Sequence, residues 1–113
     1  MTSIKIERNS QGRCISYTVL GHVHSPVVCA AISTLTQSTA MALSQVLNHR
    51  IRINSADGYF KVTLAQFPTV RTELFIDGML VGLKNIQKQY QDVVYIVDKK
   101  KRKEEDSNEV EKG

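Results

Sequence analysis

Gly21-His22-Val23-His24-Ser25-Pro26-Val27-Val28-Cys29, running on into Ala30-Ala31-Ile32-Ser33-Thr34-Leu35-Thr36-Gln37, is the stretch whose reading decides the fold. Just before it, residues 13–20 alternate: Ile15, Tyr17 and Val19 share one face, Cys14, Ser16 and Thr18 the other. That period of two reads as a strand, and Gly21 ends it. Ser25 and Pro26 then read as an N-cap and the first helical residue. The hydroxyl accepts a bond from an otherwise orphan N–H, and proline has no N–H to leave unpaired. The spacing predicts a helix from Pro26 to about Asn48, with Val28, Ile32, Leu35, Ala42 or Leu43, and Val46 as its apolar stripe. Its wealth of Ala, Ser and Thr predicts close packing on a partner.

Working outward, residues 2–8 set Ile4, Ile6 and Arg8 against Lys5 and Glu7, a half-buried strand. Asn9-Ser10-Gln11-Gly12 joins it to the next strand as a hairpin. Downstream, residues 50–54 alternate as a third strand, Asp57-Gly58 is a strong hairpin signal, and residues 59–65 give a fourth strand. After Phe67-Pro68-Thr69, a second helix is expected over Val70–Tyr90. Its inner stripe is Phe75, Met79, Leu83, Ile86 and Tyr90, widened by Leu74, Ile76, Leu80 and Val81. Gly78 and Gly82 stand one turn apart. Each costs about 1 kcal/mol against Ala inside a helix, which points to close approach by a neighbour. Residues 93–97 form a fifth strand. The order ββαββαβ predicts an α+β two-layer sandwich, an antiparallel sheet with two helices on one face. An open second face and an unpaired edge strand lead us to expect a homodimer.

Composition changes at Lys99. Residues 1–98 read as a single α+β domain, and residues 99–113 as a charged, disordered tail. The formal charge is +4. The tail holds six positive and five negative residues, so little of that excess is concentrated there. The rest is spread along the chain, which argues for solubility rather than a nucleic-acid footprint; the block Lys99–Lys103 is the place where RNA contact is conceivable. No continuous apolar run approaches the ~18 residues of a membrane span. Residues 1–8 have no apolar signal core, so a cytoplasmic protein is expected, with Cys14 and Cys29 as reduced thiols. No cofactor is expected, and His22, His24, Cys14 and Cys29 lack the compact paired spacing of a zinc site.

The chemistry in the opening stretch rests on three side chains. Cys29 falls about one turn into the helix, where the helix end carries roughly half a positive charge and favours a thiolate. His22 lies on the connection, with six residues between it and Cys29, a loop able to fold an imidazole back over the first turn. Ser33 lies four residues beyond Cys29, on the same helical face. Spacing alone leaves a second reading open. Cys29 is then a small residue packed on a helix, and His22 and His24 are polar loop residues closing its start. Cys14, on a strand face with Ser16 and Thr18, carries no functional reading.

The pair Gly21-His22 and Val28-Cys29-Ala30-Ala31-Ile32-Ser33-Thr34-Leu35 is similar to the paired signature of the ribosomal-processing cysteine protease (Prp) family. The likeness continues through Thr36-Gln37 and Met79-Leu80-Val81-Gly82-Leu83, and covers roughly residues 2–97. The resemblance implies a cytoplasmic bacterial endopeptidase, usually dimeric. Such an enzyme removes a short N-terminal extension from a large-subunit ribosomal protein, the twenty-seventh. It further implies Cys29 as nucleophile, His22 as general base and Ser33 as a supporting residue. The chain departs from many members in its short loop, and in Pro26, where they carry an aspartate three residues before the cysteine. The group that orients the histidine is therefore unassigned. The competing class is a non-enzymatic, dimeric ribosome- or RNA-associated binding protein acting through its basic residues.

Overall fold

The computed structural model describes residues 1–98. In chain order they form β1 (Thr2–Arg8), β2 (Cys14–Gly21), α1 (Pro26–Gln45), β3 (Ile51–Ala56), β4 (Tyr59–Leu64), α2 (Val70–Gln89) and β5 (Val94–Asp98). The expected tail, and with it the block Lys99–Lys103, lies outside the described residues. Local chemistry accounts for the boundaries. The side chain of Asn9 accepts from the Gln11 and Arg13 N–H groups and Gly12 takes a φ of 82°, which turns β1 into β2. Ser25 caps α1 by accepting from the Val28 N–H at 3.3 Å. Thr69 and Thr72 cap α2 reciprocally. Asp57-Gly58 makes a two-residue turn, with Ala56 opposite Tyr59 and Gly58 at a φ of 72°.

The strands form one sheet in the order β3-β4-β2-β1-β5. The expected antiparallel pairing holds for four strands, whereas β5 runs parallel to β1, with Thr2 opposite Val94 and Ile4 opposite Ile96. The cause is the crossover. A helix linking two strands of a sheet returns the chain in its original direction. Thus β5 runs as β4 does, and β4 runs as β1 does, because both are antiparallel to β2. The register aligns Ile6, Tyr17, Val62 and Ile53 in one row across the sheet, and Ile96, Ile4, Val19 and Phe60 in the next. Both helices lie on that side. The alternate residues, such as Lys5, Thr18, Lys61 and Asn54, line the face without helices.

The core joins Ile4, Ile6, Tyr17 and Val62 of the sheet to Val28, Ile32 and Leu43 of α1 and Ile76, Met79 and Leu83 of α2. Tyr17 also donates its hydroxyl to the Thr36 carbonyl at 2.7 Å, which pins α1 to the sheet centre. The two helices approach closely at Gly82: a Cβ there would lie 2.9 Å from a Leu35 methyl. Gly78 faces open space instead, so only one of the two glycines serves helix packing. α1 ends at Gln45, earlier than its pattern suggested. Asn48 turns left-handed, with a φ of 53°, and the His49 N–H closes back on the Leu43 carbonyl. Val46 is consequently exposed, as are Leu74 and Val81 on the outer side of α2. α1 has no charged residue, and its mean hydropathy of 1.3 makes it long and apolar enough to cross a membrane by composition alone. In this fold its Val28, Ile32, Thr36, Ala40 and Leu43 are buried.

At the start of β2 the fold closes over a polar cluster. Arg8, whose side chain is 4% exposed, donates to both oxygens of Asp98 at 2.7 and 2.9 Å and to Glu73 at 3.3 Å. Glu73 in turn accepts the Cys14 N–H at 2.7 Å. A bulge between Glu7 and Arg8 brings Cys14 opposite Arg8. This cluster ties β1, β2, β5 and α2 together at one end of the sheet.

Candidate active site

The other end of β2 is built differently. Gly21 has a φ of 91°, and any Cβ there would collide with the Met1 carbonyl, so the strand can end this way only with glycine. The Gly21 N–H donates to the Gly58 carbonyl at 2.9 Å, which locks the end of β2 to the β3–β4 turn. The Met1 nitrogen donates to the His22 carbonyl. Two segments therefore fix the backbone at Gly21 and His22 before the imidazole is considered.

The imidazole of His22 sits against the β3–β4 turn. A Cβ on Gly58 would come within 3.0 Å of Nε2, and Nε2 lies 3.6 Å from Oδ1 of Asp57. The connection 22–25 then folds back over the first turn of α1. The Cys29 N–H donates to the Ser25 carbonyl at 3.1 Å, and the Cys29 thiol donates to the Val23 carbonyl at 3.3 Å. Cys29 is half-buried, and Ser33 follows one turn later on the exposed surface of the helix.

His22, Cys29, Ser33 and Gln37 line one open cleft of about 200 Å³ whose opposite wall is Ser55, Ala56, Gly58, Tyr59 and Phe60 of the β3–β4 hairpin. The structure thus brings together the three side chains singled out from the sequence. His24 is exposed and does not line the cleft. Cys14 is fully buried, and its thiol donates to the Ser16 carbonyl at 3.4 Å. Burial pushes that thiol from an ordinary 9.0 up to about 12. No acidic residue occupies the first turn of α1, so the positive end of the helix faces the Cys29 sulfur without a competing carboxylate. α2 is the opposite case, with Glu73 in its first turn.

Neither the hairpin wall nor Asp57, which lies outside the cleft beside the His22 ring, was legible as part of a site. Asp57-Gly58 announces a turn and nothing more. Its place beside His22 follows from the pairing of β2 with β4, where Leu20 lies opposite Tyr59. That contact is long-range and leaves no local trace in the sequence.

The arrangement supplies a thiol, an imidazole and a hydroxyl along one open cleft, the parts that acyl transfer to sulfur needs. No curated protein sequence matches the chain. Among solved structures, it is similar to the ribosomal processing protease Prp from S. aureus in complex with a covalently linked product peptide. The identity is 25%, over 86% of this chain and 98% of that one, with a TM-score of 0.79. The same S. aureus protease with a substrate peptide is 22% identical, over 85% of this chain and 97% of that one, with a TM-score of 0.77. SMU.848 from Streptococcus mutans is 24% identical, over 86% of this chain and 92% of that one, with a TM-score of 0.72. These last two share the fold. The family model for cysteine protease Prp matches residues 1–95. Covering nearly the whole described domain, that match places the chain in the Prp family of cysteine proteases.

Proposed function

We propose that Cys29 is the nucleophile and His22 the general base of an endopeptidase that removes the N-terminal extension of a large-subunit ribosomal protein, the twenty-seventh. Ser33 supports the reaction from the next turn of α1. The observation that carries this reading is the single cleft holding His22 and Cys29 at the start of an α1 free of acidic residues. The substrate follows from family membership and from the neighbouring S. aureus enzyme, described as a ribosomal processing protease that holds a peptide. A cysteine protease does not need the competing reading of a non-enzymatic binding module.

In the proposed reaction the Cys29 thiol gives up its bond to the Val23 carbonyl and passes its proton to His22. The sulfur attacks the scissile carbonyl carbon, an S–C bond forms, and the carbonyl π electrons move to oxygen. The Val28 and Cys29 N–H groups are already taken by Ser25, so the helix end as a whole stabilises the oxyanion. When the oxyanion collapses the C–N bond breaks, and His22 returns its proton to the leaving amine. Water, deprotonated by His22, then cleaves the thioester and the proton returns to sulfur. An extended peptide would lie between α1 and the β3–β4 hairpin. The cytoplasm, a homodimeric state and a catalytic domain of residues 1–98 with a charged tail beyond it complete the proposal.

The test is incubation of the extended ribosomal protein with wild type and with Cys29→Ala, read by mass spectrometry. Wild type should shorten the substrate at one site, and Cys29→Ala should leave it intact, a loss of about a thousandfold or more. Equal cleavage by both proteins would remove Cys29 from the mechanism.

A further inference from the structure

We infer that Asp57, at the tip of the β3–β4 hairpin, is the positioning residue for His22: it holds the charged imidazole with Nε2 against the hairpin while Cys29 is deprotonated. The inference rests on the proposed roles of His22 and Cys29 and adds a group to them. Pro26, three residues before Cys29, has no side-chain charge or acceptor, so the loop itself offers the imidazole no carboxylate partner. The hairpin does. Gly21 is bonded to Gly58 across the β2–β4 junction, so the backbone of the Asp57-Gly58 turn is tied beside the residue that follows Gly21. Gly58 is needed twice. Its φ of 72° suits the turn, and a side chain there would press on Nε2 from 3.0 Å. The ring therefore rests directly on the turn, with Asp57 Oδ1 at 3.6 Å.

That separation is long for a hydrogen bond and within reach of an ion pair. Among the described residues, the ionisable groups around His22 are few. Asp57 and Tyr59 come from the hairpin side, Cys29 from α1, and the Met1 nitrogen bonds the His22 carbonyl. His24, two residues on, is exposed. Among these, Asp57 is the carboxylate. When the Cys29 proton moves to His22, the new positive charge lies beside it, and the thiolate–imidazolium pair gains a third, compensating charge. With Nε2 turned to Asp57, Nδ1 is the ring nitrogen left to exchange the proton with sulfur. The pair is exposed, so its contribution is modest and sensitive to salt.

Asp57→Asn separates charge from turn geometry, because Asn-Gly forms the same two-residue turn as Asp-Gly. In low salt at pH 6.5, Asp57→Asn should slow both iodoacetamide alkylation of Cys29 and cleavage of the extended ribosomal protein by about two- to fivefold. KM should be unchanged, and the difference should shrink in 1 M NaCl. Asp57→Glu should recover part of the rate. In a His22→Ala background the Asp57→Asn change should have no further effect on alkylation. Rates equal to wild type, or the same slowing with and without His22, would overturn the role of Asp57. Cys29→Ala, run alongside, tests the parent reading separately: cleavage surviving in that variant would overturn the role of Cys29, whatever Asp57 does.

Discussion

Cys14 and Cys29 flank the same strand and have opposite surroundings. At the start of β2, Cys14 is fully buried beside an arginine and two carboxylates, and burial pushes its thiol up to about 12. Beyond the end of β2, Cys29 is half-buried on an open cleft, at a helix start with no acidic residue. The side chains are identical. The difference lies in which opposite charge the fold places nearby and whether water can reach the sulfur. At the Cys14 end, charges are paired with one another and hold the sheet to α2. At the Cys29 end, the backbone is locked by glycines and main-chain bonds, and the side chains are left available for chemistry.

The largest effect expected from breaking this contrast is at the Cys14 end. Arg8→Met removes the cation and leaves Asp98 and Glu73 without their guanidinium partner. Severing a buried pair on one side costs about 3–5 kcal/mol, to be measured by urea denaturation. If the two ends are as separate as the structure shows, the remaining folded protein should alkylate at Cys29 at the wild-type rate. Slowed alkylation in folded Arg8→Met would show that the ends are coupled.

A smaller effect should appear with pH. The folded-state value of Cys14, about 12, lies above its ordinary 9.0, so the folded protein holds the proton longer than the unfolded chain. The associated stability is fully present below pH 9 and is lost as pH rises toward 12. Tyr17, also pushed up by burial, contributes in the same direction. Denaturation midpoints should therefore fall across this window, and Cys14→Ala should flatten the slope. A midpoint that stays level from pH 9 to pH 12 would mean that burial at this end does not penalise the thiolate.

Much of the fold was legible because its punctuation is local. Ser25-Pro26 announced the start of α1, Asp57-Gly58 a two-residue turn, and the alternation at Ile4 and Ile6 a core-facing strand. The direction of β5 was not read, because pairing is set by two crossovers rather than by any residue within the strand. Helical spacing put Val46 in the α1 stripe, and Leu74 and Val81 widened that of α2, yet all three are exposed: Val46 lies past the end of α1, and the other two face outward. The cleft was partly legible for the same reason. His22, Cys29 and Ser33 are close in sequence, so helix geometry and one short loop bring them together. Asp57 and the hairpin wall arrive through strand register, as Glu73 and Asp98 arrive around Arg8. Such long-range contacts are decided by the assembled sheet, and residue patterns carry them only after the topology is known.

The most direct test of the central claim sets the two thiols against each other in one native molecule. Folded wild-type protein is treated with limiting iodoacetamide at pH 7, and modification at each cysteine is followed by mass spectrometry together with residual cleavage of the extended ribosomal protein. The account predicts that Cys29 is modified first, that cleavage falls in proportion to its modification, and that Cys14 reacts only after unfolding. Slow, equal reaction of both thiols, or full cleavage after Cys29 is blocked, would contradict it.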